Sequence, residues 1–232
     1  MEYRIEGGNM QYLLVELEEG EEIFAEAGAF VCKTSNVKME TRMQGKGIGD
    51  KFMKLIKRKL TGESAFLVYF SCENGRGTVV FTGPFPGKIV PVEVKPDRAF
   101  VAQKDAFLCG TPGVEIDLTF TRSFKGGLLG GEGFVLQKLK GDGVAFVHAC
   151  GDIIEYNLAP GEILQVDTGC VVGFEETVKY SAEMIKSIKG ILFGGEGLFL
   201  ATLEGPGRVL VQTTNIEGLR NVIIPPELLE ED

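Results

Sequence analysis

A block of sequence that returns twice along the chain constrains the fold more than any other feature. LEEGEEIFAEAGAF (Leu17 to Phe30) aligns without gaps on VKPDRAFVAQKDAF (Val94 to Phe107) and on LAPGEILQVDTGCV (Leu158 to Val171), at offsets of 77 and 64 residues. Self-similarity with a preserved order of elements marks a chain assembled from one supersecondary unit. Each copy runs on into an alternating stretch: VKMETRM from Val37, VEIDLTF from Val114 and VKYSAEM from Val178. Every second residue there is the apolar or larger one, the period of a half-buried strand. A loop follows, then a glycine and a glutamate, then a second strand: GESAFLVYF from Gly62, GEGFVLQKL from Gly131 and GEGLFLATL from Gly195. Last comes a short glycine turn (NGRG at Asn74, GDG at Gly141, GPG at Gly205) that leads into TVVF, VAFV or RVLV. Turn chemistry of this kind predicts a β-hairpin at each of the three places.

The expected architecture is therefore all-β, with three repeated antiparallel modules over residues 17–93, 94–157 and 158–217 and a C-terminal tail over 218–232. Modules this small are marginal alone, so they are expected to share one core about a pseudo-threefold axis in a single domain spanning 1–232. The 232 residues suffice to bury roughly 70% of the unfolded surface without disulfide or metal staples. Thirty-two glycines and no tryptophan fit a chain of many tight turns rather than a helix bundle. The first module is longer because GIGDKFMKLIKRKL replaces the shorter glycine loops of the other two. There the period shifts towards 3.6, with Phe52, Leu55, Ile56 and Lys59 on one face, which predicts one short basic helix over 50–60. SAEMIKSIKG suggests a second helical fragment over Ala182 to Ile188, stopped by a lysine and a glycine. The tail from Pro225 is proline-broken and acidic, and reads as a frayed end.

Charge and cysteine usage exclude several function classes. Acidic residues outnumber basic ones 33 to 24, and a formal charge of −9 repels phosphate backbones, which argues against a nucleic-acid partner. Five cysteines, an odd number with no CxxC spacing, cannot pair completely, and point to reducing cytoplasm. MEYRIEGGNMQ has the features of neither a secretory signal nor a transit peptide, and no apolar run reaches the length of a spanning helix. A soluble, cytoplasmic protein is expected.

Four features hold candidate sites, each with a plainer structural alternative. KGGLLGGEGF (Lys125 to Phe134) and KGILFGGEGL (Lys189 to Leu198) look like phosphate loops but lack the lysine that reaches phosphate; Glu132 follows Gly131 instead. Their glycines read as turn punctuation. The apolar tips Leu128, Leu129, Ile191, Leu192 and Phe193 are expected to be covered, either by a neighbouring module or subunit or by a partner or membrane. Lys46 to Lys59 carries six basic residues and one acid, so Lys51, Lys54, Lys57 and Arg58 are candidates for anionic lipid, or else form a solvated face. Glu63, Glu132 and Glu196 recur at one position of each module and could converge on a hard cation, or could each accept hydrogen bonds within its own turn. His148, the only histidine, lies in apolar VAFVHAC and reads as a core or interface residue; with no second histidine, His₂ or His₃ zinc sites are closed to one chain. No cysteine lies in a nucleophile context, so no catalytic residue and no cofactor are assigned.

The triplicated β module, AEAGAFV at Ala25, the glycine-rich loops and the GESAF and GGEG motifs resemble the family that includes the mitochondrial biogenesis protein called altered inheritance of mitochondria. Its prokaryotic members are of unknown function. The likeness runs from about Tyr3 to Glu217, implies a β structure similar to the tryptophan RNA-binding attenuator protein, and brings no catalytic motif. The expected function is a non-enzymatic binding or scaffold protein, homo-oligomeric, with an unidentified protein partner. The alternatives are a membrane-surface adaptor using the basic helix and apolar loops, and a metal-dependent enzyme using the repeated glutamates.

Overall fold

The computed structural model describes residues 1–43, 66–117, 135–185 and 198–224, and most of them lie in antiparallel strands. The N-terminal segment holds β1 (Glu2–Glu6), β2 (Tyr12–Glu18), β3 (Glu22–Ala25), β4 (Phe30–Lys33), β5 (Val37–Met43), β6 (Phe66–Cys72) and β7 (Arg76–Thr82). The middle segment holds β8 (Gly87–Val94), β9 (Phe100–Gln103), β10 (Phe107–Gly110), β11 (Val114–Asp117), β12 (Leu136–Gly141) and β13 (Gly143–Cys150). The C-terminal segment holds β14 (Ile153–Leu158), β15 (Ile163–Asp167), β16 (Val171–Glu175), β17 (Lys179–Ile185), β18 (Leu198–Glu204) and β19 (Gly207–Gln212), then helix α1 (Ile216–Ile223). Alternation sets these strands: in β2, Leu13, Val15 and Leu17 are buried while the residues between them are half-buried, the pattern of a strand with one inward face.

The strands form four sheets in the orders β1-β2-β7-β4, β5-β6-β3-β10-β13-β8, β11-β12-β9-β16-β19-β14 and β15-β18-β17. Within each segment the ladders are of the same kind. The first repeated strand pairs with the last (β2·β7, β8·β13, β14·β19), and the alternating strand pairs with the one beyond the glycine-rich loop (β5·β6, β11·β12, β17·β18). The segments join to each other by backbone: β10 pairs with β3 through Cys109↔Ala25 and Gly110↔Phe24, and β16 pairs with β9 through Gly173↔Ala102 and Phe174↔Val101.

Three expectations change. The glycine turns after β6, β12 and β18 do not make hairpins, because in each case the next strand belongs to a different sheet. A positive φ at Gly75 or Gly141 supplies the corner, but nothing local decides whether the chain returns beside itself or crosses to the facing sheet. The fragment from Ala182 is strand, not helix, as far as Ile185; pairing along β18 from Lys179↔Glu204 to Ile185↔Leu198 overrides a weak helical preference. Finally, the buried apolar side chains form three clusters rather than one. The first is centred on the N-terminal segment, the last on the C-terminal segment, and the middle cluster takes Phe24, Phe107 and Leu210 from all three. A closed pseudo-threefold arrangement would need a third joint, β4 with β15, yet each of those strands edges its sheet.

Close backbone approach makes one joint demanding. A Cβ at Gly173 would stand 2.4 Å from Phe100 Cε1 and 2.6 Å from the Val101 carbonyl oxygen. The carbonyl is backbone and the Phe100 ring is buried, so neither can give way cheaply. Gly173→Ala is expected to destabilise the fold by about 1–3 kcal/mol through this overpacking; urea unfolding measures it, and a neutral effect would show that the joint is slack.

Candidate interaction surface

Strand β4 is short and carries Phe30, Val31 and Cys32, yet all three side chains are exposed. Their counterparts in the other segments are inside. At the register shift that each of these strands makes against its neighbour, Val31 is 50% exposed where Leu108 is 2% and Val172 is 0%. Strand β15 shows the same reversal: Ile163 is 61% exposed, whereas Ala99, which holds its place before β9, is 6%. Leu164 is half-buried, while Phe100 and Ile23 at its position are in the core. Burying a side chain of this size is worth about 1.5–3 kcal/mol, so leaving these in water forgoes what the other segments gain.

Further apolar surface lies on α1, where Ile216, Val222 and Ile223 are exposed. The Asn215 side chain accepts a hydrogen bond from the Gly218 N–H at 2.7 Å and so caps this helix. This helix crosses the module boundary expected at 217 and is not among the elements the sequence pattern predicts. Asn215 before Ile216, Leu219 and Ile223 at helical spacing, with Pro225 beyond, was the available signal.

A cavity of about 300 Å³ opens beside the second joint, lined by Val101, Leu136, Phe174, Val178 and Tyr180, with Glu176 and Lys179 also in its wall. Tyr180 stacks on Phe174 at 5.3 Å and 8°. Burial pushes the Tyr180 phenol well above its ordinary range, so it stays protonated. Such a cavity suits an apolar group, and its two charged residues are engaged with others, Glu176 with Lys138 and Lys179 with Glu204.

His148 stands on β13, buried as its apolar flanks imply. Its ring lies 5.2 Å from Phe85 and hydrogen-bonds the Phe85 backbone, while its Nδ1 is buried without a hydrogen-bond partner among the described residues. Gly83 makes the space: a Cβ there would sit 2.2 Å from the imidazole. Burial holds His148 below the usual histidine pKa, so the neutral ring is favoured. The five cysteines are all unpaired, and burial raises the Cys109 thiol well above its normal value, which leaves it protonated and inert. Among the described residues no cluster of three or more His, Cys, Asp or Glu could hold a metal ion, and no helix is long and apolar enough to cross a membrane.

The sequence-predicted candidates lie elsewhere. The basic helix expected over 50–60, with Lys51, Lys54, Lys57 and Arg58, falls outside the described residues, as do the apolar tips Leu128, Leu129, Ile191, Leu192 and Phe193 and the repeated Glu63, Glu132 and Glu196. So does the tail from Pro225. The described strands on either side of these segments, β5 with β6, β11 with β12 and β17 with β18, pair antiparallel.

With this architecture in view, comparison with known proteins defines the class. The chain matches the model of the family described as mitochondrial biogenesis AIM24 over residues 3–214, and it belongs to that family. An uncharacterized protein of Streptococcus pyogenes serotype M6 is 28% identical over 214 residues, covering 90% of this chain and 84% of the relative. The crystal structure of a Streptococcus pyogenes protein superposes with a TM-score of 0.73 at 21% identity, covering 96% of this chain and 97% of the other. That likeness is one of fold.

The depressed pKa of His148 has a signed consequence. The unfolded chain takes up this proton near pH 6.5, and the folded protein resists it. His148 therefore costs no stability above about pH 6.5, and the penalty grows as pH falls below that value towards the folded pKa. Melting temperatures between pH 7.5 and 5 should fall less steeply in His148→Gln than in the parent protein; identical slopes would mean that the ring protonates freely in the fold.

Proposed function

We propose that this protein is a non-enzymatic binding and scaffold protein that works through its surfaces and assembles with further copies of itself. The observation that carries this reading is the apolar face left in water on β4, at positions that the other segments bury. A chain with 33 acidic and 24 basic residues is well able to stay dissolved with such a patch, and the simplest cover for it is a subunit of the same kind. In this reading the three segments are copies of one unit within a single domain, a view supported by the recurrence of the same ladders in each. Five free thiols fit the reducing cytoplasm. A likeness to the tryptophan RNA-binding attenuator protein belongs to this proposal as architecture alone, since a shared fold does not carry a shared ligand.

A second reading, a membrane-surface adaptor, draws support from the basic run Lys46 to Lys59 in an otherwise acidic chain. Each lysine near an anionic surface is worth about 1 kcal/mol and is screened by salt. If this reading holds, the double variant Lys54→Glu, Lys57→Glu abolishes salt-sensitive co-sedimentation with anionic vesicles and leaves the melting temperature unchanged; no sedimentation of the parent protein removes it.

The scaffold reading is tested by light scattering at micromolar concentration. A mass several times the 25.2 kDa of one chain is expected. A strict monomer would contradict self-assembly and turn attention to a partner of another kind.

A further inference from the structure

The two inter-segment joints are built alike, and the chain ends with both halves of a third joint unfilled. In the first joint β10 lies against β3, with Cys109 opposite Ala25 and Gly110 opposite Phe24. In the second, β16 lies against β9, with Gly173 opposite Ala102 and Phe174 opposite Val101. The strand in the first segment that corresponds to β10 and β16 is β4, and among the described residues it pairs only with β7. The strand in the last segment that corresponds to β3 and β9 is β15, and among the described residues it pairs only with β18.

Apart from β1, which has no counterpart, the other edge strands among the described residues are edges in their counterparts too. Strands β5, β11 and β17 all end their sheets, as do β8 and β14, while β2 in the equivalent place is capped by β1. Only β4 and β15 depart from the pattern. Several of the remaining edges also carry features that discourage pairing, such as Pro91 in β8 and the charged run Lys38, Glu40, Arg42 in β5. By contrast, β4 presents Phe30, Val31 and Cys32 with a single charge, Lys33, and β15 has no proline. The four-residue length of β4 is no obstacle, since β10 is equally short and is paired on both sides.

We infer that β4 of one copy adds antiparallel to β15 of a second copy, repeating between chains the joint that the chain already makes twice within itself. Carrying the internal register across places Cys32 opposite Val166 and Lys33 opposite Gln165. This contact is head-to-tail rather than self-complementary, so an open array keeps one unpaired β4 and one unpaired β15 at its ends until it closes into a ring. The inference rests on the self-assembling scaffold reading and adds to it the two strands, their direction and their register.

The register can be trapped by a disulfide. Directly opposed residues of an antiparallel pair have Cα atoms about 4.5–5.5 Å apart, within the range that a disulfide spans. In the full-length Val166→Cys variant, mild oxidation should link the introduced thiol to Cys32 of another copy and give a ladder of multimers on a non-reducing gel. Adding Cys32→Ala should remove that ladder. A link formed within one chain, or no link in a protein that scattering shows to be assembled, would overturn the edge-pairing inference while leaving the scaffold reading intact; a protein monomeric by scattering would overturn both.

A second measurement tests direction. Val31→Lys with Cys32→Lys blocks β4, and Ile163→Lys with Gln165→Lys blocks β15; all four positions are solvent-exposed, and circular dichroism checks that each variant folds. Each blocked protein alone should be monomeric, and an equimolar mixture should run at twice the monomer mass because one good β4 still meets one good β15. Assembly of either blocked protein alone would contradict the proposed joint, as would a mixture that stays monomeric.

Discussion

Two short backbone pairings, β3 with β10 and β9 with β16, fix how the three segments of this chain sit in a row. Each requires a small residue where backbones meet. Ala25 and Ala102 are fully buried on the receiving strands, and Gly173 has no room for a methyl group on the approaching one. Because a paired strand no longer exposes its amide and carbonyl groups, each joint also solves the edge problem for two sheets at once. Side-chain packing then follows: the middle core cluster draws on all three segments because the joints bring their inner faces together.

The same constraint explains where the molecule can interact. A row of units has two ends, and at those ends the joint-forming strands are left without the neighbour that their counterparts have. Apolar side chains that the joint would cover are consequently in water at Val31 and Ile163. On the proposed scaffold reading, recognition through these ends follows from the architecture. His148, whose buried ring fills the space that Gly83 leaves, contributes to the core rather than to any reactive site.

Much of the strand content was legible because alternation and repetition are written in the sequence itself. VKMETRM and VKYSAEM are strands β5 and β17 almost to the residue. The buried setting of His148 was legible from its neighbours. Pairing was harder, since β2 with β7 and β14 with β19 are contacts between residues far apart in sequence, and a glycine turn shows that the chain bends without showing towards which sheet. That is why the corners at Gly75 and Gly141 read as hairpins. The exposed edges escaped sequence reading for a related reason: AGAFV at Ala27 and DAFLC at Asp105 are near-identical in character, and only topology reveals that the first pairs on one side and the second on both. The sequence-predicted loop and helix candidates, Lys51 to Arg58 and the glycine-flanked tips, lie outside the described residues.

Hydrogen exchange on the assembled protein tests the central claim most directly, because amide protection reports whether an edge is paired. The account predicts that the amides of β4 and β15 exchange about as slowly as those of β10 and β9, and that dilution to the monomer accelerates the first pair alone. Fast exchange of β4 and β15 in a protein that remains assembled would contradict it.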